Sequence, residues 1–169
     1  MKQSKLKIDF FSAFDLLMFW KDISRTNRPA VLRWKTEDIT IAGITNVSGV
    51  AANQLNYPYD LVVDWSYALY VADSVNNRVQ KFSKGSLNGV TVAGKADGSS
   101  GISDDSFNSA NFLLVDDDSN MYVTDSKNHR IMYWKKNAAQ GVVVAGTGKQ
   151  NSVLSLMKWN SFLHRRYYW

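Results

Sequence analysis

The chain of 169 residues has no cysteine, two prolines and two histidines, and its last glutamate is Glu37. Without cysteine there is no disulfide framework, no thiolate zinc site, no redox CxxC pair and no thiol nucleophile. His129 and His164 alone do not make a histidine metal cage. No apolar run is long enough to span a bilayer, which takes roughly 20 residues. The stretch from Phe10 to Trp20 is interrupted by Asp15 and is followed by no small-residue cleavage site, so it does not read as a signal peptide. These features favour a cytoplasmic location. Phe10, Phe14, Leu17 and Met18 fall on one face of a helical period and predict a short N-terminal helix.

What is present is a 45% hydrophobic, 21% charged composition, that of a globular chain. The net charge of +5 is unevenly placed. Residues 1–39 hold eight Lys/Arg against five Asp/Glu, and residues 149–169 hold four against none. Residues 40–148 hold eight against ten, so the middle is mildly acidic. A phosphate-tracking surface needs clustered cations, and only the two flanks could supply them. The segment 151–169, ending His164-Arg165-Arg166-Tyr167-Tyr168-Trp169, reads as a basic aromatic tail.

The middle of the chain repeats itself. Shifted by 52 residues, 60–94 falls on 112–146 without a gap, and 15 of 35 pairs are identical. Tyr70-Val71-Ala72-Asp73-Ser74 meets Tyr122-Val123-Thr124-Asp125-Ser126, and Asn76-Asn77-Arg78-Val79 meets Asn128-His129-Arg130-Ile131. Val31-Leu32-Arg33-Trp34 and Thr40-Ile41-Ala42-Gly43 look like the worn second half of an earlier copy. Each full unit holds four short runs of strand character, near 60–64, 68–73, 78–83 and 89–93, then 112–116, 120–125, 130–135 and 141–145. Asp-Ser-x-Asn-x-Arg turns the second run into the third, because short polar side chains bond the nearby backbone. Gly94 and Gly146 end the fourth runs, where a reversal needs permissive dihedrals. Four antiparallel strands per repeat make one propeller blade. The fold class is therefore all-β: a partial β-propeller, with a half blade at 30–58 and blades at 59–94 and 107–146.

Leu55-x-x-Pro58-x-x-Leu61-Val62-Val63-Asp64, Leu69-Tyr70-Val71-Ala72-Asp73-Ser74-x-Asn76-Asn77-Arg78, Asn128-His129-Arg130 and the Val-Ala-Gly ends resemble the NHL-repeat β-propellers over about 30–150. The second unit departs from the pattern in having Ala110 where the first has Pro58, and the period is lengthened by the connection from Gly94 to Leu113. The resemblance implies a non-catalytic scaffold with a protein partner, including substrate recognition in a ubiquitin-ligase context. The absence of cysteine excludes a RING or B-box on this chain. RNA binding and a fragment of a propeller lyase or lactonase are the alternatives the family allows. Two and a half blades leave open strand edges. The chain is thus expected to be a piece of a longer propeller, with self-association through those edges or cover by the flanks as the other solutions.

Asp64, Tyr70, Asp73, Asn76, Arg78 and Gly94, with Asp116, Tyr122, Asp125, Asn128, Arg130 and Gly146, define the repeat and are expected to be structural. A set that recurs in every unit serves the unit, whereas a binding site is usually used once. Asp104-Asp105 and Asp116-Asp117-Asp118 lack the alternating spacing and distal Glu of a calcium loop and read as solvated turns. There is no Gly-x-Ser-x-Gly and no HExxH, and Gly146-Thr147-Gly148-Lys149 lacks the spacing of a phosphate loop. No catalytic residue, metal ligand or cofactor is assigned, and the sequence selects no binding residue.

Overall fold

The computed structural model describes residues 40–148. The expected N-terminal helix, the first part of the half blade and the basic aromatic tail lie outside the described residues.

Eight strands form two sheets. The first, blade 1, is β1 (Pro58–Val63), β2 (Leu69–Asp73), β3 (Arg78–Phe82) and β4 (Val90–Gly94). The second, blade 2, is β5 (Ala110–Val115), β6 (Met121–Asp125), β7 (Arg130–Trp134) and β8 (Val142–Gly146). Each is an antiparallel meander in sequence order. The registers repeat with the sequence: Tyr70 faces Lys81 and Tyr122 faces Tyr133. Even the irregularity between Val79 and Gln80 recurs between Ile131 and Met132. The strands match the sequence reading to within two residues at each end. β1 starts at Pro58, a first-strand position that proline tolerates because no ladder N–H is needed there. Between Thr40 and Tyr57, within the expected half blade, one isolated bridge joins Ile44 and Val47.

Alternation along the strands decides what the blades bury against each other. Tyr70, Ala72, Val79 and Ala93 of blade 1 meet Leu113, Met121, Val123, Met132 and Trp134 of blade 2, with Phe107 from the connecting segment. On the central strands Tyr70 and Ala72, Met121 and Val123, and Met132 and Trp134 are every-second-residue positions, as a pleated sheet requires. Trp134 is 1% exposed, and its ring centroid lies 5.1 Å from that of Phe107. Truncating it to alanine would cost about 3–5 kcal/mol, the range for a buried aromatic. Polar bonds fix the junction's register. Asp60 Oδ2 accepts the Leu113 N–H at 3.0 Å, Asn77 Oδ1 accepts the Ser109 N–H at 2.8 Å, and the Ser74 hydroxyl donates to Asn111 Oδ1 at 2.7 Å.

Candidate functional site

The most polar part of each blade is built at one end, where β2 turns into β3. In blade 1 the turn closes through Asn77 N–H to the Ser74 carbonyl, with Asn77 at φ 52°. In blade 2 a single 3-10 turn, Ser126–Asn128, ends on His129 at φ 49°. Asp73 leaves the strand here and is fully buried. Its Oδ1 accepts the Asn56 N–H at 2.7 Å, and its Oδ2 accepts Asn76 Nδ2 and Arg78 Nε, both at 2.9 Å. Asp125 does the same with Asn108, Asn128 and Arg130. Burial pushes both carboxyls above the ordinary Asp range, against the lowering effect of these donors and of the arginine charge.

The arginines complete a clamp on backbone. Arg78 is 1% exposed. Its Nη1 donates to the carbonyls of Val50 and Ala96 at 2.7 and 2.9 Å, and its Nη2 to those of Ala51 and Gln54, both at 3.2 Å. Arg130 Nη2 donates to the carbonyls of Ser103 and Ser106 at 2.9 and 3.0 Å, while Nη1 stands 3.7 Å from the exposed Asp104 carboxylate. Asn76 and Asn128 each donate a further bond, to Gly49 and Gly101. The long connection from Gly94 to Ala110 thus has a role that its sequence does not announce: it supplies the carbonyls that Arg130 and Asn128 bind. Backbone acceptors are present at every residue, so no side-chain pattern marks them.

The remaining repeat-defining residues take defined places. Gly94 and Gly146 sit at φ 80° and 86°. A Cβ on either would collide with a carbonyl oxygen, that of Asn77 or of His129. Tyr70 is buried in the inter-blade core, whereas Tyr122 is half-buried with its ring centroid 5.0 Å from that of Tyr133. Asp64 and Asp116 cap the β1–β2 and β5–β6 turns at the other end of the blades. The acidic run 116–118 is occupied by this turn: Asp116 Oδ1 accepts the N–H of Asp118 and Asn120. Asp105 accepts from the Ser103 hydroxyl at 2.6 Å. Among the described residues no three His, Asp or Glu side chains gather as a metal set. Lys149 of the Gly-Thr-Gly-Lys stretch lies outside the described residues.

With these polar groups engaged inside the fold, several apolar side chains are left facing solvent at this end, among exposed polar residues such as Asp97, Asp104 and Lys127. Val50, Tyr57, Val75 and Ile102 are each about half exposed or more, on loops that the two clamps hold. At the opposite end Trp65 stands 76% exposed, with its indole N–H on Asp117 of blade 2 at 2.7 Å. The sequence reading singled out neither group: Tyr57, Val75 and Trp65 fall on Ser109, Lys127 and Asp117 in the next unit, and Val50 and Ile102, though at equivalent positions, are not identical.

Residues 55–82 match the family model of the NHL repeat. That segment runs from the Asp73 loop contact through the end of β3, so it holds the Asp73, Asn76 and Arg78 side chains of the first clamp. It bears out the resemblance over β1 to β3 of blade 1, and the two meander sheets are blades of the propeller type that such repeats build. NHL repeats form propeller-type domains that commonly mediate protein interactions. No curated protein matches the chain. No helix among the described residues is long and apolar enough to cross a membrane.

Proposed function

We propose that this chain is a non-catalytic interaction scaffold that binds a protein partner through the loops at its asparagine-turn end. The observation that carries the reading is the direction of the polar groups. Asp73, Asn76 and Arg78, like Asp125, Asn128 and Arg130, turn inward and hold loops 49–56 and 95–109 by their backbone. Loops held this way present a rigid surface at low entropic cost to a partner. Val50, Tyr57, Val75 and Ile102 put apolar side chains on that surface. The acidic balance of residues 40–148 weighs against an RNA backbone as the ligand. Substrate recognition for a ubiquitin ligase is the specific setting the NHL resemblance suggests, with the ligase chemistry on a partner.

A photo-activatable side chain placed at Val75 or Ile102 of the full chain tests this. A discrete cross-linked protein is expected from these positions and not from Leu87 at the opposite end. Val50→Asp should abolish the cross-link and leave the melting transition in place. Equal labelling from all three positions, or none, would overturn the reading.

A further inference from the structure

The turn at the opposite end of each blade has one backbone and two surfaces. In blade 1, Asp64 Oδ1 accepts the N–H of Ser66 and Ala68 at 2.9 and 3.0 Å. In blade 2, Asp116 Oδ1 accepts those of Asp118 and Asn120 at 3.1 and 2.7 Å. Tyr67 and Ser119, the equivalent fourth residues, lie at φ 64° and 66°, and each returns its N–H to the Asp carbonyl at 2.9 Å. The turn therefore needs an aspartate first and a left-handed fourth residue, and Asp-Asp-Asp-Ser-Asn in blade 2 meets both needs. Blade 1 adds Trp65 and Tyr67, which the turn does not need. A bulky residue in the left-handed region is a backbone outlier, of the kind that gathers at binding sites.

Three rings stand at this end of blade 1. Lys81 Nζ lies 4.8 Å from the Tyr70 ring centroid, and Lys84 Nζ lies 4.9 Å from that of Tyr67. Trp65 has the best ring of the three for a cation, and among the described residues none lies over it. Its indole is fixed in place by the charge-assisted bond to Asp117, which also draws positive charge to the N–H edge and leaves the π face more electron-rich. Asp117, and Asp118 next to it in the chain, are exposed on the blade 2 turn. A pinned, exposed indole bonded to one carboxylate, with a second exposed carboxylate on the adjacent residue, suits a flat cation with several N–H donors. It does not suit a phosphate.

We propose that Trp65, Asp117 and Asp118 seat an arginine side chain of a partner protein, with the guanidinium stacked on the indole and its N–H fork on the carboxylates. This seat is at the end away from the apolar loops and stands or falls separately from the scaffold reading.

The test uses the full chain labelled with nitrogen-15, whose six tryptophans give separate indole signals, with Trp65→Phe assigning the one of interest. The probes are a peptide of four Gly-Arg repeats, the same peptide with citrulline for arginine, and oligothymidylate. The arginine peptide should move the Trp65 signal, and the uncharged citrulline peptide should not. Trp65→Ala, and separately Asp117→Asn with Asp118→Asn, should each weaken binding about tenfold. Both variants should melt like the parent, since the turn is held by Asp64 and Asp116. No movement with the arginine peptide, equal binding of the citrulline peptide, or a stronger response to oligothymidylate would overturn the proposal.

Discussion

Blade 1 and blade 2 share their strands, their register and their Asp–Asn–Arg sets, yet they hold their loops differently. Arg78 donates five hydrogen bonds, four of them to carbonyls of loop 49–56 and of Ala96. Arg130 donates three and adds a looser, half-solvated ion pair with Asp104. The core facing also differs: Gln80 is 1% exposed in blade 1, where blade 2 has the apolar Met132. The difference teaches that duplication preserved what each blade needs internally. The loops and faces around the blades were free to diverge.

The largest expected effect sets the two clamps against each other. Arg78→Ala leaves Asp73 buried without its cation and should cost about 3–5 kcal/mol. Arg130→Ala should cost about 1–2 kcal/mol less, since two fewer neutral hydrogen bonds are lost. Urea unfolding of the full chain measures both, and equal losses would erase the distinction. Next come the left-handed glycines, where the blades should agree. Gly94→Ala and Gly146→Ala should each lower stability by about 1–3 kcal/mol, read as a drop in the denaturation midpoint. A neutral substitution in one blade would mean that its turn differs from the one described.

A smaller effect should have the opposite sign. Gln80 is held by one long bond, from the Thr91 hydroxyl at 3.3 Å. Gln80→Met makes blade 1 resemble blade 2 and should raise stability by about 1 kcal/mol in a thermal melt. A loss would show that the amide meets a need the apolar side chain cannot.

The smallest effect is in acid. Burial alone would raise the Asp64 carboxyl, but the Ser66 hydroxyl, the N–H groups of Ala68 and Ser66, and Lys81 together hold it below its ordinary value of 3.8. Its contribution is therefore present above the unfolded value and is lost as pH falls through the lower folded one. Asp64→Asn should flatten the decline in melting temperature below about pH 4. Asp73, pushed upward by burial, has the reverse sign: its share of stability grows as pH falls through its raised folded value. An unchanged acid limb in the Asp64→Asn chain would remove the turn carboxylate from the account.

The strands were legible in the sequence because two copies repeat the same alternation at a fixed spacing. Asp73, Arg78 and Gly94 were legible as turn and pairing residues for the same reason, since each has a counterpart 52 residues on. The acceptors of the clamps were not, because a carbonyl at Val50 or Ser103 carries no side-chain signature. Trp65 and Tyr67 were passed over because a repeat search discounts the positions where copies differ. Those positions hold what the turn does not require. Burial of Gln80 was equally hidden, since a glutamine in a strand reads as solvent-facing until its neighbours are known.

Hydrogen exchange of the full chain tests the central claim most directly, that two propeller-type blades are held as one rigid unit by inward clamps and a shared core. The amides of Val71 and Val123, on the central strands of the two blades, should open with the same free energy. The Ser109 and Leu113 amides, which bond Asn77 and Asp60 across the junction, should be protected with them. Exchange of the blade 2 amides orders of magnitude faster than those of blade 1, with the junction amides unprotected, would contradict the account.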